Sequence, residues 1–421
     1  MGNFSVSNDR IVLFAKPPAI TSFSSLFTIK HAFQTHKVGH TGTLDSFASG
    51  LLVVCCGSLT RLAGRITEFN KTYEAVIKFG EETDTLECTG NVVRTAPLPT
   101  LEELNEGLSA FTGQIMQKPP LFSALHVNGQ RASDAARSGK TVDIPSRPVT
   151  VFSSKLLEVR LSETQDGEKY VESARVSFSV SKGTYIRSLA RDIALYCGSA
   201  GYLVGLRRTQ VGNFKLEDAA GSARLSEFTI ENAFKDAEYT LQKEKQMSLE
   251  KIQKKDGKIK KEKVPFSEEE LSLQAETVQK SVEMSQEIAA LCGFRNLVIK
   301  NEALALFKNG AKLHSSWFSV SPFEVEEQFA AIFTEENHFA GMLEKGENGY
   351  KVLWSPEDRL NVFPYDYADK GNMAGGYMFS TDIEQPSLNA SFSGKIYESD
   401  EYFAVYPYDS QHEWYPQEKK I

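Results

Sequence analysis

Lys37-Val-Gly-His-Thr-Gly-Thr-Leu-Asp45, running directly into Ser46-Phe-Ala-Ser-Gly-Leu-Leu-Val-Val-Cys55, passes from a turn-rich polar segment to an uninterrupted apolar run. Gly39 and Gly42, interleaved with His40, Thr41 and Thr43, predict a tight loop whose backbone can approach a ligand closely. That loop delivers Asp45 just ahead of a buried strand. An Asx turn or a helix N-cap would use an aspartate in the same place, so the segment fixes local structure before it fixes chemistry.

Outward from this stretch, Ile11 to Phe14 and Leu51 to Val54 are short apolar runs, while Thr72 to Phe79 and Val171 to Val180 alternate; all four read as strands, the last two half-buried. Ile186, Leu189, Ala190, Ile193, Ala194 and Cys197 recur at helical spacing, and Gly198 is a suitable C-cap. Thr21 or Ser22 opens a second helix through Phe23, Leu26 and Phe27. Strands and helices interleave with neither a regular βαβ rhythm nor a Gly-rich nucleotide loop, which predicts an α+β fold with a mostly antiparallel sheet.

The 421 residues imply two to four folding units. Composition is that of ordinary globular proteins, which excludes collagen and a wholly disordered chain. No apolar run is long enough for a transmembrane helix, and Met1 to Arg10 lacks the pattern of a leader, so a cytoplasmic protein is expected. Five cysteines, none in a CxxC pair, argue against a disulfide scaffold or a zinc ribbon. The net charge of −8 is unevenly spread, at +3 over residues 1–220 and −11 over the remainder, so overall acidity does not exclude a nucleic-acid partner for the first half. From Lys243 to Lys263 there are nine lysines and four acids, which reads as a solvated linker or as an arm on a phosphate backbone. Ser267 to Leu291 is expected to form an exposed amphipathic helix. A compact unit is expected from Phe294 to about Pro356, with an Asn309-Gly310 turn after a short helix.

Three further segments carry chemistry. Lys182-Gly-Thr-Tyr-Ile-Arg187 stands at a strand-to-helix junction, and Arg187 and Arg191, one turn apart, are expected on the face opposite the apolar stripe. Lys71-Thr-Tyr73-Glu74 opens an alternating strand, and Leu203-Val-Gly-Leu206-Arg207-Arg208-Thr209 ends the first half.

In content and order these blocks resemble the motifs of the TruB-type tRNA pseudouridine synthases. GHTGTLD followed by ASGLLVVC is similar to the family's catalytic loop, KTYEAVIKFGEETDTLECTG to its second motif, QKPPLFSALHVNGQRASDAARSG to its central substrate-binding stretch, and SKGTYIRSLARD with LRRTQVGNF to its third. The resemblance spans about Asp9 to Ala220. Ser46 stands where the family usually has proline, and Ala132-Ser133 where an aromatic is common.

The resemblance implies isomerisation of a uridine in the T loop of tRNA to pseudouridine, without cofactor or metal, by a monomer, with the T arm as partner. Asp45 would be the nucleophile, attacking the sugar C1′ or the pyrimidine ring or supporting a glycal route. Arg187 would keep its carboxylate charged. Tyr73 would stack on the base and help remove its C5 proton, as a third catalytic residue, and Leu206 would form a shelf beneath it. The nucleotide must leave its stack, with His40 filling the gap. Lys16, Arg131, Arg137, Arg207 and Arg208 would contact the RNA, and Lys16-Pro17 would also support the site by packing. The corresponding organisation is a pseudouridine-synthase-like catalytic domain over 1–225, a charged insertion or linker with a helix over 226–292, a β-rich PUA-like module over 293–356, and an acidic, aromatic-rich extension over 357–421.

Two other readings use the same residues. One is a binding or tRNA-folding module that performs no chemistry. The other is a glycoside or nucleoside hydrolase using Asp45 and Asp84, for which the sequence offers no second acid with a raised pKa.

Overall fold

The computed structural model describes residues 9–354 except for 123–125, 128–129, 132–143, 164, 256–264, 310, 323–325 and 347–348. The extension from 357 onward therefore lies outside the described residues, as do Arg137 and Gly310. The chain divides into two compact units, Met1–Phe294 and Arg295–Ile421.

The first unit begins with strand β1 (Ile11–Lys16), helix α1 (Ser22–Ala32), β2 (Val38–His40) and β3 (Ser49–Cys56). It continues through β4 (Lys71–Phe79), α2 (Leu101–Ala110), β5 (Gly113–Gln117), β6 (Arg147–Glu163), β7 (Lys169–Val180) and α3 (Ile186–Tyr196). The segments β8 (Gly201–Val211), β9 (Phe214–Lys215), α4 (Ile230–Lys255), α5 (Glu268–Gln279) and α6 (Gln286–Leu291) complete it. The main sheet runs β1-β3-β8-β4-β7-β6-β5, with β2 added to β3 and β9 to β8. Every pairing is antiparallel except β3 with β8, so the expected α+β class and sheet type are what the chain adopts.

The two faces of the sheet bury different helices. Alternation in β4 sends Tyr73, Ala75, Ile77 and Phe79 to one face, where Leu189, Ala190, Ile193 and Ala194 of α3 and Leu104 and Leu108 of α2 cover them. Val76 points the other way, onto Ile230, Ala233 and Ala237 of α4. A separate cluster joins β1 and β3 to Leu26, Ile29 and Phe33.

Helix ends follow the sequence. Thr21 caps α1 by accepting from Ser24 N, and Gly198 takes φ +66° just beyond α3. Thr100 with Glu103, and Ser267 with Glu270, form capping boxes at α2 and α5.

Several expectations are corrected. In α1 the buried residues are Ser22, Ser25, Leu26 and Ile29, while Phe23 and Phe27 are exposed; Phe27 stacks on His31 and Phe266 instead. The lysine-rich stretch is not a linker at its start, because Lys243 to Lys255 are the second half of α4. Its Lys, Glu and Gln content gives good helix propensity without any need for burial. Ser267 to Leu291 forms two helices rather than one, since α5 ends at Gln279 and Ser285 caps α6 anew. The boundary between compact units falls after Phe294.

The second unit pairs β10 (Arg295–Val298) in parallel with β11 (Phe329–Phe333), followed by antiparallel β12 (Phe339–Gly346) and β13 (Gly349–Trp354). Helix α7 (Asn301–Lys308) packs Ala303 and Phe307 onto this sheet with Leu297, Ile299 and Ile332.

Candidate active site

The polar loop between β2 and β3 is held from three sides. Ser22 of α1 donates its hydroxyl to Leu44 O at 3.0 Å and accepts from Leu44 N at 2.8 Å. Lys16, fully buried, donates to Ala48 O at 2.6 Å, Pro17 O at 3.0 Å and Ser46 O at 3.2 Å. Arg208 donates to Leu51 O at 2.8 Å and to Gly42 O at 3.0 Å. These bonds straddle Asp45, whose own carbonyl accepts from Ala48 N at 3.1 Å in a tight turn.

Gly50 is required where this loop enters the sheet. It pairs with Arg208 in the parallel β3–β8 contact at φ +110°, and a Cβ there would stand 2.3 Å from Arg208 O. The close approach lets the β8 strand support the loop from below.

Asp45 meets Arg187 at the start of α3. Arg187 Nη2 donates to Asp45 Oδ1 at 3.2 Å, and Nε stands 3.0 Å from Oδ2 in an ionic contact without hydrogen-bond alignment. The guanidinium side chain is 6% exposed and the carboxylate 35%, so the pair is buried on the arginine side and open on the aspartate side. Arg187 also donates to Thr85 O and Phe122 O, both at 2.9 Å. Burial opposes its charge, but Asp45 and Glu87 outweigh burial and raise the guanidinium pKa. The expectation that Arg187 faces away from the apolar stripe is therefore wrong. In the first turn of α3 the side chain can reach past the helix end into the loop cluster. Arg191 is half-buried, donating to Asp192 Oδ1 and Lys118 O.

Tyr73 and Leu206 lie in the same buried cluster as Leu44, Phe47 and Ile186, the apolar residues that flank Asp45 and Arg187. His40, at the end of β2, is half-buried and accepts weakly from Gly42 N at 3.4 Å. Burial and the neighbouring Arg208 lower its pKa, which favours a neutral imidazole.

Three of the expected RNA contacts are buried within the protein. Arg208 is 1% exposed and Lys16 0%, and each spends its donors on loop carbonyls. Arg207 is 7% exposed, donates to Ser49 Oγ and Ser226 O, and lies over the Phe228 ring. Their donors are spent within the protein, on loop carbonyls and the Ser49 hydroxyl. Burial pushes the Lys16 ammonium down to about 7 although Asp45 opposes it. Arg131 falls in the short strand Gln130–Arg131.

Two residues of the site were not singled out in the sequence. Glu87 is half-buried and accepts from Thr89 Oγ1 at 2.8 Å. Burial and the Asp45 charge push its carboxyl up to about 7, against the pull of Arg187. This is the second raised-pKa acid that the hydrolase reading lacked, whereas Asp84 accepts from Asn91 N and stays in its own turn. Tyr185, two residues before Arg187 in the chain, is fixed through its backbone, giving N–H to Gln117 Oε1 and accepting at O from Gln117 Nε2. The quoted KGTYIR block contained Tyr185, but the pairing to Gln117 is 68 positions away and leaves no local trace.

Residues 30–186 match the model of the TruB family pseudouridylate synthase N-terminal domain. The chain is 41% identical to tRNA pseudouridine synthase B of Treponema denticola over 328 residues, covering 74% of this chain and 86% of that one. It is 36% identical to tRNA pseudouridine synthase B of Treponema pallidum over 359 residues, covering 81% and 96%. Among solved structures it is similar in fold to a chain of an H/ACA RNP bound to a substrate RNA containing 2′-deoxyuridine. That match has a TM-score of 0.51 and 19% identity and covers 83% of this chain and 85% of that one. A chain of a Cbf5–Nop10–Gar1 complex matches with TM-score 0.50 and 21% identity, covering 90% and 84%.

Proposed function

The chain belongs to the TruB family of pseudouridylate synthases, and on that premise we propose that it isomerises a uridine of tRNA to pseudouridine with Asp45 as nucleophile. The observation that carries the reading is the Asp45–Arg187 pair, buried at the guanidinium and open at the carboxylate. The substrate uridine is the one in the T loop, at position 55.

The reaction needs a carboxylate held in one orientation. Its attack on C1′ or on the ring, or its support of a glycal, would free the base to turn and rejoin through carbon. Arg187 fixes both carboxylate oxygens, and two backbone carbonyls fix Arg187, so the nucleophile is oriented before substrate arrives. Tyr73 and Leu206 supply the apolar surfaces between which a planar base would lie. The T-loop uridine must be extruded first, at a cost of a few kcal/mol, and His40, as a neutral ring at the end of β2, suits the vacated place in the stack. The T arm is the partner in this reading, and the protein acts on it as a monomer. The small sheet from Arg295 to Trp354 supports the reading of an accessory PUA-like module.

The test is incubation of the purified protein with an unmodified tRNA transcript, followed by mapping of pseudouridine by position. Conversion confined to the T loop is the expected result. Release of free uracil would instead favour a hydrolase built on Asp45 and Glu87, and binding without conversion would favour the tRNA-folding module.

A further inference from the structure

Helix α4 has two halves with different surroundings. Ile230, Ala233, Ala237 and Thr240 are buried in the first half, and Ala233 lies against Gly205 of β8. From Lys243 onward the described side chains are half-buried or exposed, and the helix runs on to Lys255, about 18 Å further at 1.5 Å per residue. Packing on the sheet does not account for this second half.

The second half begins beside the catalytic loop. Ser46 Oγ donates to Glu244 Oε1 at 3.3 Å, and Ser46 is the residue after Asp45, its carbonyl already held by Lys16. Lys243 lies within electrostatic reach of the Lys16 ammonium, and Glu244 of the Glu87 carboxyl. The Lys243 ammonium also stands 5.5 Å from the centre of the Tyr239 ring, one turn back. Between Lys243 and Lys255 there are five lysines against two glutamates, in a chain whose overall charge is −8. Lysines in a last turn offset the helix dipole, but Lys243 and Lys245 are too far from the end to serve it.

We propose that the second half of α4, Lys243 to Lys255, is a contact for the backbone of the same RNA whose uridine Asp45 attacks. Lys243 receives a phosphate next to the displaced nucleotide, and Glu244 ties the helix to the loop through Ser46. Lys251 and Lys254 follow two and three turns further along the same helix. The proposal rests on the pseudouridine synthase reading. It adds a contact on α4 in place of the three arginine and lysine side chains that the fold keeps buried.

The test uses the full-length protein. Lys243, Lys251, Lys254 and Lys255 are changed together to Gln, which retains helix propensity, and helicity is checked by circular dichroism. Affinity for an unmodified tRNA transcript is then measured between 0.05 and 0.3 M salt, concentrations of about one to several times the usual assay range. The expected result is affinity weaker by about tenfold and a salt slope shallower by at least about 1, with Lys243→Glu alone weakening affinity more than Lys243→Gln. An unchanged affinity and slope, in a protein whose unaltered form converts uridine, would overturn the α4 contact and leave the activity standing. Failure of the unaltered protein to convert any uridine would overturn both.

Discussion

Asp45 and Arg187 are 142 positions apart in the chain, yet the arginine reaches both carboxylate oxygens at 3.0 and 3.2 Å while its remaining donors go to the carbonyls of Thr85 and Phe122. One side chain thereby joins three loops: the one before β3, the one after β4 and the one after β5. The aspartate is the more exposed member, so the pair presents a fixed negative oxygen to solvent and keeps its counter-charge dry.

Asp45→Asn preserves the Oδ1 acceptor for Arg187 but cannot act as an anionic nucleophile. Pseudouridine formation should fall by at least about 10³-fold. The dissociation constant for tRNA should stay within about threefold, because phosphate and shape contacts carry most of the affinity. Single-turnover assays alongside filter binding separate the two quantities.

Arg187→Lys keeps the charge and loses the fork. A point cation cannot serve Asp45, Thr85 O and Phe122 O together, so turnover should drop by about 10² or more with little recovery at high tRNA. Arg187→Met should in addition lower unfolding free energy by about 2 to 3 kcal/mol, below the full value for a buried pair because Asp45 is partly solvated. Urea denaturation at pH 7 measures it.

Glu87 provides a pH signature. Its folded pKa of about 7 lies above the ordinary carboxylate value of 4.5, so the folded state holds a proton that the unfolded state has released. The stability this gives is fully present below pH 4.5 and is lost as pH rises through 7. Wild type should therefore lose stability relative to Glu87→Gln between about pH 4.5 and 7, and the two curves should run parallel above that window. Thermal melts across pH 4 to 8.5 would show it, and equal curves at every pH would remove the shift.

Gly50→Ala should damage fold and activity together. The added methyl would have to displace the Arg208 backbone, at a φ that alanine disfavours. A loss of about 3 kcal/mol or more is expected, read as a lower calorimetric midpoint.

The sheet and most of its helices could be read from the sequence because period-2 and period-3.6 apolar patterns survive in β4, β7 and α3. What could not be read was the fate of charge. Lys16, Arg207 and Arg208 look like surface residues in a linear string, and only the folded chain reveals the ring of carbonyls that takes up their donors. Arg187 was misplaced for a related reason: helical spacing assigns a face but says nothing about a first-turn side chain that extends beyond the helix end. Glu87 was missed because its carboxyl is defined by Asp45, Arg187 and Thr89, of which only Thr89 is nearby in sequence. In Lys243 to Lys255, composition alone did not distinguish a solvated linker from a solvated helix.

The parallel contact of Gly50 with Arg208 has a consequence for biosynthesis. A ribosome emits Asp45 long before it emits the strand that braces the loop, so the nucleophile's cradle cannot close until some 160 further residues have left the exit tunnel. Any nascent fragment ending before Arg208 would carry the GHTGTLD motif without that support.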